Sequence, residues 1–172
     1  MCGIVAVTGY KKALPLLING LEKLEYRGYD SAGIAIINSE TNSITCKKAE
    51  GKLKNLINNL NDDNILGTVG IGHTRWATHG KPEVKNAHPH IDGSGTIAVV
   101  QNGIIENFQD LKNKLEKEGI IFNSDTDTEV IPHLIKRELN TLSKLNLENN
   151  GSTLLVAVRN VISDLELSLI HI

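Results

Sequence analysis

The chain opens Met1-Cys2-Gly3-Ile4-Val5, and the reading of those five residues decides both the fold class and the chemistry. Removal of Met1 would leave Cys2 with a thiol and a free α-amine, a nucleophile and a base on one residue. A free thiol titrates near about 8.5 and is mostly protonated at neutrality, so it needs a proton acceptor close by. An unblocked α-amine titrates at about 7.7 to 8.0 and can serve as that base, whereas the nitrogen of a Met1–Cys2 peptide bond cannot. Read alone, a cysteine opening an apolar run is more simply a small buried hydrophobe at the start of a strand. The rest of the chain has to decide between the two.

The 172 residues, 40% of them hydrophobic, suffice for one well-filled core, so one domain is the expectation. Lys and Arg number 18 against 20 for Asp and Glu, with no long run of one sign. That balance gives no footprint for nucleic acid or a membrane surface. Two cysteines exclude a disulfide framework and a four-cysteine zinc site. With no signal peptide and no apolar run near 18 residues, a reducing cytoplasm is the expected setting.

Strand and helix signals alternate. Residues 3–8 read as a buried strand beginning at the nucleophile, and Leu14, Leu17, Ile18, Leu21 and Leu24 recur at helical spacing before Gly28. Residues 32–37 and 44–49 form a strand pair across a polar turn. Leu53, Leu56, Ile57 and Leu60 mark a second helix, and 69–73 and 96–100 are further strands. Between them, residues 74–95 have almost no regular pattern but hold Arg75, Trp76, His79, His88 and His90, which suggests a functional loop. Phe108, Leu111 and Leu115 predict a third helix and 120–122 a strand. A fourth helix carries Val130, Ile131, Leu134, Ile135 and Leu139, capped by Asp127 or a neighbour, and a fifth, 154–165, is capped by Ser152 or Thr153.

Several stretches bear chemistry. Tyr26-Arg27-Gly28-Tyr29-Asp30-Ser31-Ala32-Gly33 sets an arginine and an aspartate at a helix-to-strand junction, where a solvated ion pair is also a sufficient reading. His73-Thr74-Arg75-Trp76-Ala77-Thr78-His79-Gly80 places an arginine fork beside hydroxyls, a combination suited to a carboxylate. Gln101-Asn102-Gly103 offers an amide donor beside a glycine N–H, either an oxyanion pocket or a plain Asn-Gly turn. His73, His79, His88 and His90 invite a metal, with His88 and His90 the nearest to a ligand pair, but no third ligand or acidic partner stands at a useful spacing, so none is expected. Asp125 and Asp127 are either paired carboxylates or a helix cap.

Taken in order, Cys2-Gly3-Ile4-Val5, Tyr26 to Gly33, His73 to Gly80, Asn86-Ala87-His88-Pro89-His90, Asn102-Gly103-Ile104-Ile105-Glu106-Asn107 and Thr126-Asp127-Thr128-Glu129-Val130 resemble one family. It is the glutaminase domain of the glutamine–fructose-6-phosphate aminotransferases (isomerizing), class II glutamine amidotransferases. Other class II amidotransferases share the opening Cys-Gly but differ at the later motifs. The resemblance implies an α+β fold, the N-terminal nucleophile hydrolase four-layer αββα sandwich. It implies that Cys2 attacks glutamine, that Asn102 and Gly103 hold the oxyanion, that Arg75, Thr78 and His79 clamp the substrate carboxylate, and that Asp127 takes its ammonium. Arg27 matches an arginine near the nucleophile, and Trp76 and His88 are expected in a mobile loop over the site. No cofactor is implied. L-glutamine is the implied substrate. Fructose 6-phosphate would be reached through sugar-isomerase domains absent from this chain, and the full-length enzyme would be a homodimer. The match covers residues 2–166, after which further strands are expected. The sandwich is therefore read as truncated at its C-terminal end, with Leu167-Ser168-Leu169-Ile170-His171-Ile172 as a non-native tail. The competing reading is a fragment that carries these residues without catalysing.

Overall fold

The computed structural model describes residues 2–60, 65–76, 80–145 and 150–168. Strand β1 (Gly3–Val7) leads into helix α1 (Ala13–Leu24), followed by β2 (Ser31–Ile37), β3 (Ile44–Glu50), helix α2 (Leu53–Asn58) and β4 (Val69–Arg75). All four strands pair antiparallel in the order β1-β4-β2-β3. The central strand β2 is buried from Ser31 through Ile36, which explains its continuous small and apolar run. Its even-numbered residues Ala32, Ile34 and Ile36 join Leu17 and Leu21 of α1 and Leu53 and Leu56 of α2 in one core.

The opposite face of that sheet meets a second layer. Here β5 (His90–Ile91) pairs with β6 (Ala98–Val99), and β7 (Ile104–Ile105) pairs with β8 (Leu167–Ser168). Outside them lie α3 (Phe108–Lys117), α4 (Val130–Lys144) and α5 (Gly151–Asp164), which bury Leu115, Val130, Leu134, Ala157 and Val161 in a second core. Helices, sheet, ladders and helices therefore succeed one another as the expected α+β sandwich. The second sheet consists of two two-stranded ladders. Between the layers is a cavity of about 610 Å3, lined by Ala35, Ile37, Ile71, Ile97, Val158 and Ile162 among others.

Most elements fall where periodicity placed them, and four details differ. Residues 120–122 form no strand, since Ile120 N–H bonds back to the Leu115 carbonyl to close α3. Only Ala98–Val99 of the expected strand 96–100 is paired, because the Thr96 and Ile97 N–H groups go to the Asp92 carboxylate instead. Asp127 does not cap α4. It lies in a 3-10 turn, Asp127–Glu129, and its carboxylate accepts from Ile105 N–H at 2.8 Å. The cap of α5 is Asn150, whose side chain accepts from Ser152 and Thr153 N–H groups at 3.0 and 3.1 Å.

The second layer approaches the sheet closely at Gly33, where an added Cβ would lie 2.2 Å from the His88 carbonyl oxygen. Backbone cannot yield as the end of a side chain can, so Gly33→Ala must part the layers. Overpacking of this kind costs about 2 to 3 kcal/mol. Urea unfolding of Gly33→Ala against the parent chain should show that loss.

Candidate active site

The register of the first sheet assembles the site. Gly3 lies opposite Thr74, and Ser31 lies opposite Arg75, so Cys2 and the peptide following β4 meet at one corner. There Trp76 N–H donates to Cys2 Sγ at 3.2 Å, and the thiol sits 3.6 Å from the Trp76 carbonyl oxygen. Arg27 Nε and Asn102 Nδ2 both donate to the Cys2 carbonyl, at 3.4 and 3.3 Å. Three residues far apart in sequence thus converge on Cys2.

The Arg75–Trp76 peptide is itself held in place. Its carbonyl accepts from Asp30 N–H at 3.2 Å, while an added Cβ at Gly28 would lie 2.6 Å from the Arg75 carbonyl carbon. The stretch around Arg27 to Asp30 therefore does more than stop a helix. It leaves room for the peptide that touches the nucleophile. Trp76 is half-exposed, with its ring edge-on to Tyr29 at 5.5 Å.

Arg75 is buried, and its guanidinium donates to the Gly80 and Lys81 carbonyls, each at 3.3 Å. Asn86, fully buried, donates to the same Lys81 carbonyl at 3.0 Å and accepts from Asp125 N–H at 2.9 Å. Asp125 in turn meets Lys85 at 2.9 Å. Sequence reasoning gave Asn86 no role, yet it ties the loop under the guanidinium to the turn before Asp127. Thr78 and His79, expected beside Arg75, lie outside the described residues.

Asp127 binds the Ile105 N–H two residues beyond Gly103, which joins its turn to the Asn102-Gly103 stretch. Gly103 takes φ 142°, a backbone conformation that residues with a Cβ rarely adopt. Asn102 is exposed, and its Oδ1 lies 2.9 Å from His73 Nε2.

His88 corrects an expectation. It is buried rather than in a loop over the site, its ring stacked on His73 at 4.3 Å and edge-on to His90 at 4.6 Å. His90 Nε2 in turn meets Thr126 Oγ1 at 2.8 Å. Among the described residues no three His, Cys, Asp or Glu side chains converge as a metal-ligand set. Burial above all, aided by the Arg75 charge, lowers His73 to about 4. Burial with the Lys48 and Arg75 charges lowers His90 to about 3, and burial holds His88 well below the ordinary histidine range. Nearby Glu129 behaves oppositely. Burial raises its carboxyl, but the nearby His133 and the hydrogen bonds from Asn123 and Ser124 outweigh that and hold it at about 2.

A family profile described as a glutamine amidotransferase domain matches residues 73–156. A glutamine–fructose-6-phosphate aminotransferase (isomerizing) from Thermosynechococcus vestitus is 53% identical over 166 residues, covering 96% of this chain and 25% of the relative. The chain belongs to the glutamine amidotransferase family. A second aminotransferase of that name, from Gloeobacter violaceus, is 60% identical over 136 residues, 78% of this chain and 22% of its own length. The chain thus spans about a quarter of the length of these relatives. Among solved structures, glutamine phosphoribosylpyrophosphate amidotransferase from B. subtilis superposes with a TM-score of 0.74 at 29% identity, covering 97% of this chain and 33% of that one. An allosteric regulatory enzyme of purine biosynthesis gives 0.76 at 30%, covering 98% and 34%. The fold of this amidotransferase domain is that of the N-terminal nucleophile amidotransferases.

The histidine layer sets a dependence on acidity. His73 and His90 are neutral in the folded chain down to about 4 and about 3, while in the unfolded chain they take up a proton near about 6.5. The unfolded state therefore binds more protons below about 6.5, and stability falls as the pH drops. Together the two should cost about 2 kcal/mol between pH 7 and 5.5, with His88 acting in the same direction. Glu129 adds its own loss only below about 4.5, as pH falls toward about 2. Urea midpoints at pH 7, 5.5 and 4 would measure this, and an unchanged midpoint at 5.5 would contradict it.

Proposed function

We propose that this amidotransferase domain hydrolyses L-glutamine to glutamate and ammonia, with Cys2 as the nucleophile. The observation that carries the reading is the convergence of the Trp76 N–H on Cys2 Sγ and of the Arg27 and Asn102 side chains on the Cys2 carbonyl. With Met1 removed, the α-amine of Cys2 takes the thiol proton as sulfur attacks the side-chain carboxamide carbon, and delivers it to the departing ammonia. Water then cleaves the thioester to release glutamate. Asn102 Nδ2 and the Gly103 N–H receive the tetrahedral oxyanion, and the positive φ of Gly103 supports this role.

Arg75 with Thr78 and His79 takes the substrate carboxylate. Support comes from the Gly80 and Lys81 carbonyls, which fix the plane of the buried guanidinium. Asp127 takes the α-ammonium, a role its place beside the Asn102-Gly103 stretch supports. Trp76, its ring edge-on to Tyr29 at 5.5 Å, takes part in holding the substrate. In a longer protein of this kind the ammonia would aminate fructose 6-phosphate to glucosamine 6-phosphate, as the names of the relatives suggest. Both cysteines are free, which suits a reducing cytoplasm, and among the described residues no helix is long and apolar enough to cross a membrane.

Ammonia release from glutamine tests the reading. Cys2→Ala should abolish it, Asn102→Ala should lower kcat by about 10² to 10³, and Arg75→Lys should raise KM at least about tenfold through loss of the bidentate fork. Release that survives Cys2→Ala would overturn it.

A further inference from the structure

His73 stands at the back of this site and takes no part in the steps above. Its ring is 1% exposed, stacked on His88, and its Nε2 lies 2.9 Å from Asn102 Oδ1. Asn102 Nδ2 donates to the Cys2 carbonyl, so the amide cannot be turned around without setting two oxygens against each other. Oδ1 therefore faces His73 and can only accept, so this contact calls for the imidazole proton on Nε2. Nothing else in the described residues bonds to Asn102 Oδ1, while the rest of the side chain is exposed to solvent.

We infer that His73 is a positioning residue: its Nε2–H fixes the Asn102 amide so that Nδ2 faces the reacting carbon rather than turning its oxygen there. An exposed asparagine has two amide orientations of similar energy in water. Only one presents a donor, and the other would set a carbonyl dipole against the developing oxyanion. A buried donor behind Oδ1, together with the Cys2 carbonyl against Nδ2, selects the first before substrate arrives. Burial keeps the ring neutral, with one proton to donate. The stack on His88, itself edge-on to His90, fixes the ring plane from which that proton points. Because the amide matters most in the transition state, the consequence is a change in kcat rather than in KM.

This inference rests on the glutaminase reading, and the two separate in one set of measurements on the 172-residue chain whose intact mass shows Met1 removed. His73→Phe keeps a stacking ring but has no donor. His73→Gln loses the ring but carries an amide N–H as many bonds from the backbone as Nε2. His73→Phe should lower kcat for glutamine about 10-fold to 100-fold, with KM within about threefold of the parent. His73→Gln should recover most of that loss, although it is the less conservative replacement for packing. Thermal melts of both variants report the structural contribution, and a purely structural histidine would order activity by melting temperature, Phe above Gln. Parent-like kcat in His73→Phe, a loss confined to KM, or Gln no better than Phe would each overturn the inference. A parent chain that releases no ammonia would overturn the glutaminase reading, and this inference with it.

Discussion

The contact on which the site depends is the Trp76 N–H against Cys2 Sγ. A sulfur at the first turn of chain after Met1 has little to anchor it, and a single backbone donor at 3.2 Å gives it a direction. That donor exists because β4 runs one residue past its pairing with β1 and then leaves the sheet. It stays in place because residue 28 has no Cβ and because Asp30 N–H holds the other side of the same peptide. Three separated stretches thus share one peptide plane, and a change in any of them is felt at the thiol.

Strand β4 divides its labour by parity. Gly70 and Gly72 face α1, where an added Cβ would lie 3.0 Å from Leu17 and from Leu21 respectively. Ile71, His73 and Arg75 face the second layer, where they line the cavity, meet Asn102 and bind the Gly80 and Lys81 carbonyls, in that order. A slip of one residue would exchange the two sets, placing glycines in the site and an arginine against a leucine helix. The dense helix packing on one face therefore fixes the register of the chemistry on the other.

The period-two and helical patterns were sufficient to place the first sheet and all five helices, because each buries one face against one partner. They failed at 120–122, where the Leu115 carbonyl took the Ile120 N–H, and where polar side chains took the backbone donors. Asp92 captured the start of β6, Glu129 captured the Asn123 and Ser124 N–H groups ahead of α4, and Asn150 rather than Ser152 capped α5. Cys2, Arg75, Asn102, Gly103 and Asp127 stood out in sequence as residue types with a chemical use. Asn86 did not, and His73 did so only as a metal-ligand candidate, because a buried amide and a strand histidine have structural readings of equal merit. For His73 one signal was available: it shares its face of β4 with Arg75, so it had to point toward the same side of the sheet as the substrate-binding candidate.

The central claim is that this chain assembles a reactive Cys2 within a glutamine pocket. The most direct test is intact and peptide-level mass after incubation with a glutamine-mimicking electrophile. The account predicts a chain lacking Met1 with one label, on Cys2 and not on Cys46, protected by excess glutamine and absent in Cys2→Ala. Label on Cys46 alone, or on Cys2 without protection by glutamine, would contradict it.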